Sequence, residues 1–497
     1  ARKLPNLNSR SVEGTAKRWR GRNQTQPNKG TMRTGTVGSF LVVAVLAAAV
    51  IALGVSATHT EVTSLPGVDH LGEKQYTGYI TVDSNKNGNL FYWLFESRSD
   101  PSTDPLVMWL TGGPGCSSEL AMLFENGPYR MEVGSEELKN NPYGWNSKAN
   151  LLFVDQPVNT GFSYANNYVR TEEEVADDMY VFLQQFLKEF PQYANRDFYL
   201  TGESFAGHYI PAVSARILAG NSNPGATIIR LRGIAIGNGW IDPYLQYPDY
   251  VPFALENQLI DSSTAKSLNT TARHCQSLIN DKLYTLANIE CSSIMARVLS
   301  EAGNINLYNI KLPCVGQLCY NFTAQTDYMT SSALRQALHI RSESPAWSTC
   351  DDTVNRDFTV KDRISSFRQD IALNLEAKVQ VTIYNGKLDL ICNYVGGYSV
   401  AKAIQWSGAT GFNQAPLNSW TVGGSVAGQS QKFENLLFLQ VDGAGHMVPH
   451  DQPVAALSLL EDLIQRGSSS VVPDLKYVDR AQQRLVDNNR SNPMTME

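Results

Sequence analysis

An α/β protein with a mostly parallel central sheet and a helical insertion is what this 497-residue sequence predicts. Three observations point there. Apolar runs of strand length recur at Asn89–Glu96, Leu106–Leu110, Asn150–Val154, Phe198–Thr201, Leu231–Ile236, Val379–Tyr384 and Leu436–Val441. Runs without polar alternation suit strands covered on both faces. Helical periodicity lies between strand runs: Thr171 and Glu174 spell a capping box, and Val175, Met179, Phe182, Phe186 and Phe190 recur on one face. Finally, glycine- or proline-bearing loops follow the carboxyl ends of the runs, where open α/β sheets gather their sites.

Taken in order, residues 1–36 carry nine Lys/Arg and a single acid, Glu13, and read as a basic disordered tail. The rest holds 32 basic and 46 acidic residues, a balance that excludes nucleic acid as a partner. Val37–Ala57 is an uncharged run of 21 residues, long enough to cross a bilayer as a helix. The basic flank predicts a cytoplasmic N-terminus and a luminal remainder. Small residues at Val55-Ser56-Ala57 also suit a cleaved signal. The long leader favours a single-pass signal anchor instead, in the secretory pathway with a luminal, vacuolar or extracellular globular part. Sequons at Asn269, Asn321 and Asn489 fit glycosylation there.

The globular part divides into a first core segment over 58–240, an inserted cap over 241–355, a second core segment over 356–468 and a polar tail over 469–497. Strand signals thin out in the cap, which holds five of the seven cysteines. No CxxC or Cys/His spacing suggests structural zinc. There is no internal repeat.

The chemistry concentrates at three strand ends. Gly202-Glu203-Ser204-Phe205-Ala206-Gly207 reads as a sharp strand-to-helix turn that thrusts a serine hydroxyl clear of the backbone, nearly the Gly-x-Ser-x-Gly spelling. Asp389 follows the run at Val379–Tyr384, and His446 follows the run at Leu436–Val441. The order Ser204, Asp389, His446 is that of an α/β-hydrolase triad: imidazole takes the serine proton, and the carboxylate fixes its tautomer. Asp442 lies too near His446 in sequence to serve. His208, on the nucleophile helix, reads as a packing residue. His446 and His450 have i, i+4 spacing, but Pro449 between them argues against a helical metal site, and no metal or cofactor is expected.

At this point a resemblance becomes specific. WLTGGPGCSSE, FENGPYR, LLFVDQPVNTGFSY, GESFAGHYIP, GNGWIDP, LDLICN and GAGHMVPHDQP resemble the serine carboxypeptidases from about Leu65 to Leu460. The resemblance implies an α/β-hydrolase fold with a mostly parallel central sheet and an inserted helical cap. It implies release of single C-terminal residues from peptides and proteins through an acyl-enzyme. Ser204, Asp389 and His446 correspond to the triad, and the backbone N–H groups of Gly113 and Phe205 to the oxyanion hole. Thr111, Gly112, Glu125 and Glu203 correspond to the grip on the substrate's free carboxylate. Facing acids there must share a proton, which implies binding at mildly acidic pH.

Two positions depart from the family pattern. Thr111 replaces the usual Asn, and Phe205 the commoner Tyr. The pockets fall on Leu120, Phe124, Ile391, Cys392 and Met447. Leu120, at a loop position where a basic-specific Golgi branch tends to carry Asp, favours apolar C-terminal residues. Disulfides Cys116–Cys350, Cys275–Cys291 and Cys314–Cys319 are implied, leaving Cys392 free. An acyltransferase on the same scaffold and a non-catalytic luminal stabilising protein are the alternatives, and the intact Glu125 and Glu203 favour peptides. A homodimer is left open.

Overall fold

The computed structural model describes residues 59–132, 137–316 and 318–469. The basic tail, the run at 37–57, Asn489 and the polar tail beyond Ser469 lie outside the described residues. The strands are β1 (His59–Val62), β2 (Gln75–Asp83), β3 (Gly88–Phe95), β4 (Leu106–Leu110), β5 (Tyr129–Arg130) and β6 (Lys139–Asn140). They continue with β7 (Asn150–Val154), β8 (Asp197–Glu203), β9 (Arg230–Gly237), β10 (Gln380–Gly386), β11 (Asn418–Val422), β12 (Ser425–Phe433) and β13 (Leu436–Val441). Eleven of these form one sheet in the order β1-β2-β3-β7-β4-β8-β9-β10-β13-β12-β11. The central six, β7 to β13 in that order, run parallel. The outer strands on both flanks are antiparallel. The fold is thus α/β with a mixed, mostly parallel sheet, as expected.

Alternation on β3 shows how the sheet is sandwiched. Leu90, Tyr92 and Leu94 enter one apolar cluster with Phe182, Phe186 and Ile210. Phe91, Trp93 and Phe95 enter the opposite cluster with Trp109, Phe124 and Leu460. Successive side chains of a strand point to opposite faces, so β3 feeds both layers. The helix Glu172–Glu189 lies on the first face and is capped by Thr171, which accepts from the Glu174 N–H. Burying side chains of that size contributes roughly 1.5–3 kcal/mol each.

Between β9 and β10 the chain makes helices and loops. Helices Tyr250–Glu256, Ser262–Asn280 and Tyr284–Ala302 close a third apolar cluster that also takes in Leu390. Cys275–Cys291 links the two longer helices, and Cys314–Cys319 closes a short loop. Cys116–Cys350 spans 234 residues and ties the glycine-rich loop after β4 to the segment before helix Asp352–Asp357. Backbone bonds Ser117 N–H to Thr349 O and Asp351 N–H to Gly115 O flank it. Constraint of so long a loop in the unfolded chain makes Cys350→Ser destabilising by roughly 2–5 kcal/mol. The expected result is a lower Tm that reductant erases; equal Tm values without reductant would show that the backbone bonds suffice.

Candidate active site

Ser204 sits at the junction of β8 and the helix Ala206–Gly220 with φ at +64°, a left-handed conformation that costs a non-glycine residue free energy. Its N–H donates to Gly237 O, and its carbonyl accepts from Trp240 N–H, so two neighbouring segments hold the turn in place. The same crowding explains which neighbours must be glycine. A Cβ at 202 would lie 2.1 Å from Leu110 O, and one at 207 would lie 2.5 Å from Trp240 O. A Cβ at 202 would also come 3.1 Å from the Ala206 methyl.

Asp389 and His446 occupy loops after β10 and β13, adjacent parallel strands. His446 Nδ1 lies 2.8 Å from Asp389 Oδ2. Asn238 Nδ2, at the end of β9, donates to the same oxygen at 2.8 Å. The Ile391 and Cys392 N–H groups add bonds of 3.0 Å and 3.2 Å. A carboxylate accepting at Nδ1 selects the tautomer that leaves Nε2 as the acceptor. Ser204, Asn238, Asp389 and His446 therefore stand at the carboxyl ends of four neighbouring strands, β8, β9, β10 and β13. Among the described residues, no hydrogen bond joins the Ser204 hydroxyl to His446.

The loop after β4 lies flush against the serine turn. A Cβ on Gly112 would come 2.4 Å from Phe205 N and 2.8 Å from Ser204 Cβ. Gly113 has φ +115°, outside the range of most side chains. Among the described residues, neither the Gly113 nor the Phe205 N–H donates to a backbone acceptor. Amides without an internal acceptor are the kind of donor that a developing oxyanion requires. The Thr111 hydroxyl accepts from the Trp109 indole N–H at 3.0 Å, which leaves its own proton to donate.

Glu203 ends β8 and Glu125 follows the helix Ser118–Phe124, and both are buried. Burial, then the charge of Glu125, pushes the Glu203 carboxyl well above its ordinary range. Burial pushes Glu125 up to about 8, with hydrogen bonding to Glu203 as the chief opposing influence. Each keeps one oxygen, Oε2, without a hydrogen-bond partner. Two neutral carboxyls can donate to a carboxylate; two ionised ones would repel it.

The five expected pocket residues separate into two groups. Leu120, Phe124 and Met447 share an apolar cluster with Tyr320 and Phe322. Ile391 and Cys392 instead adjoin Tyr250, whose hydroxyl donates to Ile391 O at 2.7 Å. Trp240 packs edge-on against Tyr247 and stacks on Tyr250 there. Burial, then Asp389, pushes the Cys392 thiol well above its ordinary range. Asp389, Cys392 and His446 place ligand atoms within 4.8 Å of one another. Asp389 is already engaged by four donors and Cys392 is held as a thiol, so these groups suit an oriented imidazole better than a cation. His450 turns to Phe124 and Arg130, so it shares no partner with His446.

Sequence reasoning missed Asn238, Trp240, Tyr247 and Tyr250, although GNGWIDP places the first two directly after a strand run. It also missed Leu307 and Tyr308. Leu307 O accepts from the Leu390 and Ile391 N–H groups, and Tyr308 O accepts from His446 N–H at 2.7 Å. No local pattern marks that segment, because its role is to bridge two loops remote in sequence.

Residues 66–466 match the family model described as serine carboxypeptidase. The chain is 39% identical over 397 residues to serine carboxypeptidase S10 family member 1 of Dictyostelium discoideum, covering 79% of this chain and 94% of the relative. It is 37% identical over 427 residues to carboxypeptidase Y of Candida albicans, covering 83% and 75%. The crystal structure of a prohormone-processing carboxypeptidase from Saccharomyces cerevisiae superposes with a TM-score of 0.72 at 29% identity, covering 79% of this chain and 91% of that one.

Proposed function

The chain belongs to the serine carboxypeptidase family, and from that premise we propose that Ser204, Asp389 and His446 release single, preferentially apolar residues from peptide C-termini through an acyl-enzyme at acidic pH. The observation that carries this is the Asp389–His446 hydrogen bond at the strand ends beside the strained Ser204, next to the buried carboxyls of Glu125 and Glu203. His446 Nε2 takes the serine proton as the hydroxyl attacks the last peptide carbonyl, and the Gly113 and Phe205 amides meet the oxyanion. The imidazolium returns the proton to the departing amine, and water repeats the sequence on the ester.

Exopeptidase selectivity rests on the terminal carboxylate, held by Thr111, the Gly112 amide, Glu125 and Glu203. The apolar surroundings of Leu120, Phe124 and Met447 favour apolar leaving residues, and Ile391 and Cys392 border the residue before them. Three disulfides and the sequons at Asn269 and Asn321 support passage through the secretory pathway. Within this reading 37–57 anchors the protein in a membrane and 241–355 forms a cap over the site; among the described residues no helix is long and apolar enough to cross a membrane.

The test is a pair of peptides differing only in a free or amidated C-terminus. The free acid is expected to be trimmed at least tenfold faster at about pH 5. Its KM is expected to climb as pH rises toward about 8, where Glu125 ionises in the substrate-free enzyme. Equal trimming of both peptides would defeat the assignment of the acid pair.

A further inference from the structure

Glu125 stands just past the end of the helix Ser118–Phe124, with irregular backbone angles of −122° and −84°. Its direction therefore depends on what holds the peptide units around it. On one side the Asn141 amide donates to Glu125 O at 3.3 Å. On the other stands His450. Its ring lies face to face with Phe124 at 3.8 Å between centroids and 17° between planes, and its Nδ1 is 3.1 Å from Phe124 O.

Arg130 approaches the same imidazole, with Nη2 3.0 Å from Nδ1 and 3.3 Å from His450 O. One nitrogen cannot both donate to Phe124 O and accept from Arg130. The arrangement that satisfies all three groups has Nδ1–H donating to Phe124 O and Arg130 donating to His450 O. His450 belongs to the short helix Val448–Asp451, immediately after His446 and Met447. The neighbouring Asp451 accepts from the Gly445 N–H at 2.7 Å and from Asn309 Nδ2 at 3.1 Å, which pins this helix to the His446 loop. The imidazole thus fastens the glutamate-bearing helix end to the loop that carries the histidine of the triad.

We propose that His450 is a positioning residue that clamps Phe124 and Glu125, and so sets how tightly the substrate's terminal carboxylate is held. The inference rests on the carboxylate-binding reading of Glu125 given above. A ring stack and a main-chain hydrogen bond fix the helix end, and neither touches the reacting atoms.

Two variants and two readouts test it. His450→Ala loses the stack and the hydrogen bond, and His450→Phe keeps a stacking ring alone. For a free-acid peptide, His450→Ala is expected to raise KM about tenfold with kcat within about twofold, the loss expected for one stacked ring with one hydrogen bond. His450→Phe is expected to recover part of that loss. The rate at which a fluorophosphonate labels Ser204 needs no carboxylate grip, and is expected to stay at the wild-type value in both. An unchanged KM in a folded His450→Ala variant overturns the proposal. So does a labelling rate that falls in step with kcat/KM, which would place His450 in support of the triad or of folding at large. If the wild-type enzyme itself fails to prefer free over amidated peptides, the underlying reading fails, and that outcome is visible without either variant.

Discussion

Ser204→Ala is expected to lower kcat by about a millionfold and to abolish fluorophosphonate labelling, because nucleophile and base act as one unit. Asp389→Asn is expected to cost about 10⁴-fold, through loss of the tautomer that leaves Nε2 as base. Its geometry makes a further cost specific to this chain. Asp389 accepts from His446, Asn238 and the N–H groups of Ile391 and Cys392. An amide NH₂ in place of one oxygen would face donors, leaving buried groups unpaired at about 1–3 kcal/mol each. Asp389→Asn should therefore lower Tm, whereas Ser204→Ala should leave it nearly unchanged, since the serine hydroxyl makes no protein hydrogen bond among the described residues. Steady-state kinetics with thermal melts of both variants decide this. A Ser204→Ala enzyme that keeps more than about one hundredth of wild-type kcat would remove Ser204 from its role.

How much of this was legible beforehand follows from which forces act locally. The seven strands read from apolar runs all occur, displaced by at most two residues at either end, because strands buried on both faces have few polar residues to obscure them. β2 was missed although Tyr79 and Ile80 are buried, since Thr77, Gly78 and Thr81 break its apolar pattern. The hairpin of β11 and β12 is only partly buried and mostly polar, which hid its strands. Its turn was readable nonetheless: Gly423-Gly424, both with positive φ, is the chemistry of a two-residue hairpin loop. At the site, the three strand-end motifs marked Ser204, Asp389 and His446 as candidates, and the fold brings Asp389 and His446 into hydrogen-bond contact. The separation of the pocket residues was not readable, because whether Cys392 faces Phe124 or Tyr250 depends on how the helices between β9 and β10 fold back over the sheet.

The second large effect concerns pH, and it extends beyond the acid pair. Glu172 is fully buried, its two oxygens lack hydrogen-bond partners, and burial pushes its carboxyl well above the ordinary range. Glu119 is raised in the same way by burial and by Asp155, and burial raises Asp155 too. Burial brings Asp178 to about 7 and Asp370 to about 6. For an acid whose folded value exceeds its unfolded one, the unfolded chain loses its proton first. The stability contribution is then complete below the ordinary carboxyl range and drains away as pH climbs toward the raised folded value. Each tenfold difference in proton affinity is worth about 1.4 kcal/mol, so these carboxyls together outweigh the opposing histidine. That histidine is His208, which burial lowers to about 4; it costs stability only as pH falls from about 6.5 toward 4. The balance places maximal stability at mildly acidic pH, the same side to which burial shifts Glu125 and Glu203 in favour of their protonated forms. Tm is expected to fall by several degrees between about pH 5 and pH 8, and Glu172→Gln, which cannot ionise, is expected to flatten that decline. A Tm that rises over the same interval would mean that these carboxyls ionise inside the fold without penalty, which would also undo the raised proton affinity argued for Glu125 and Glu203.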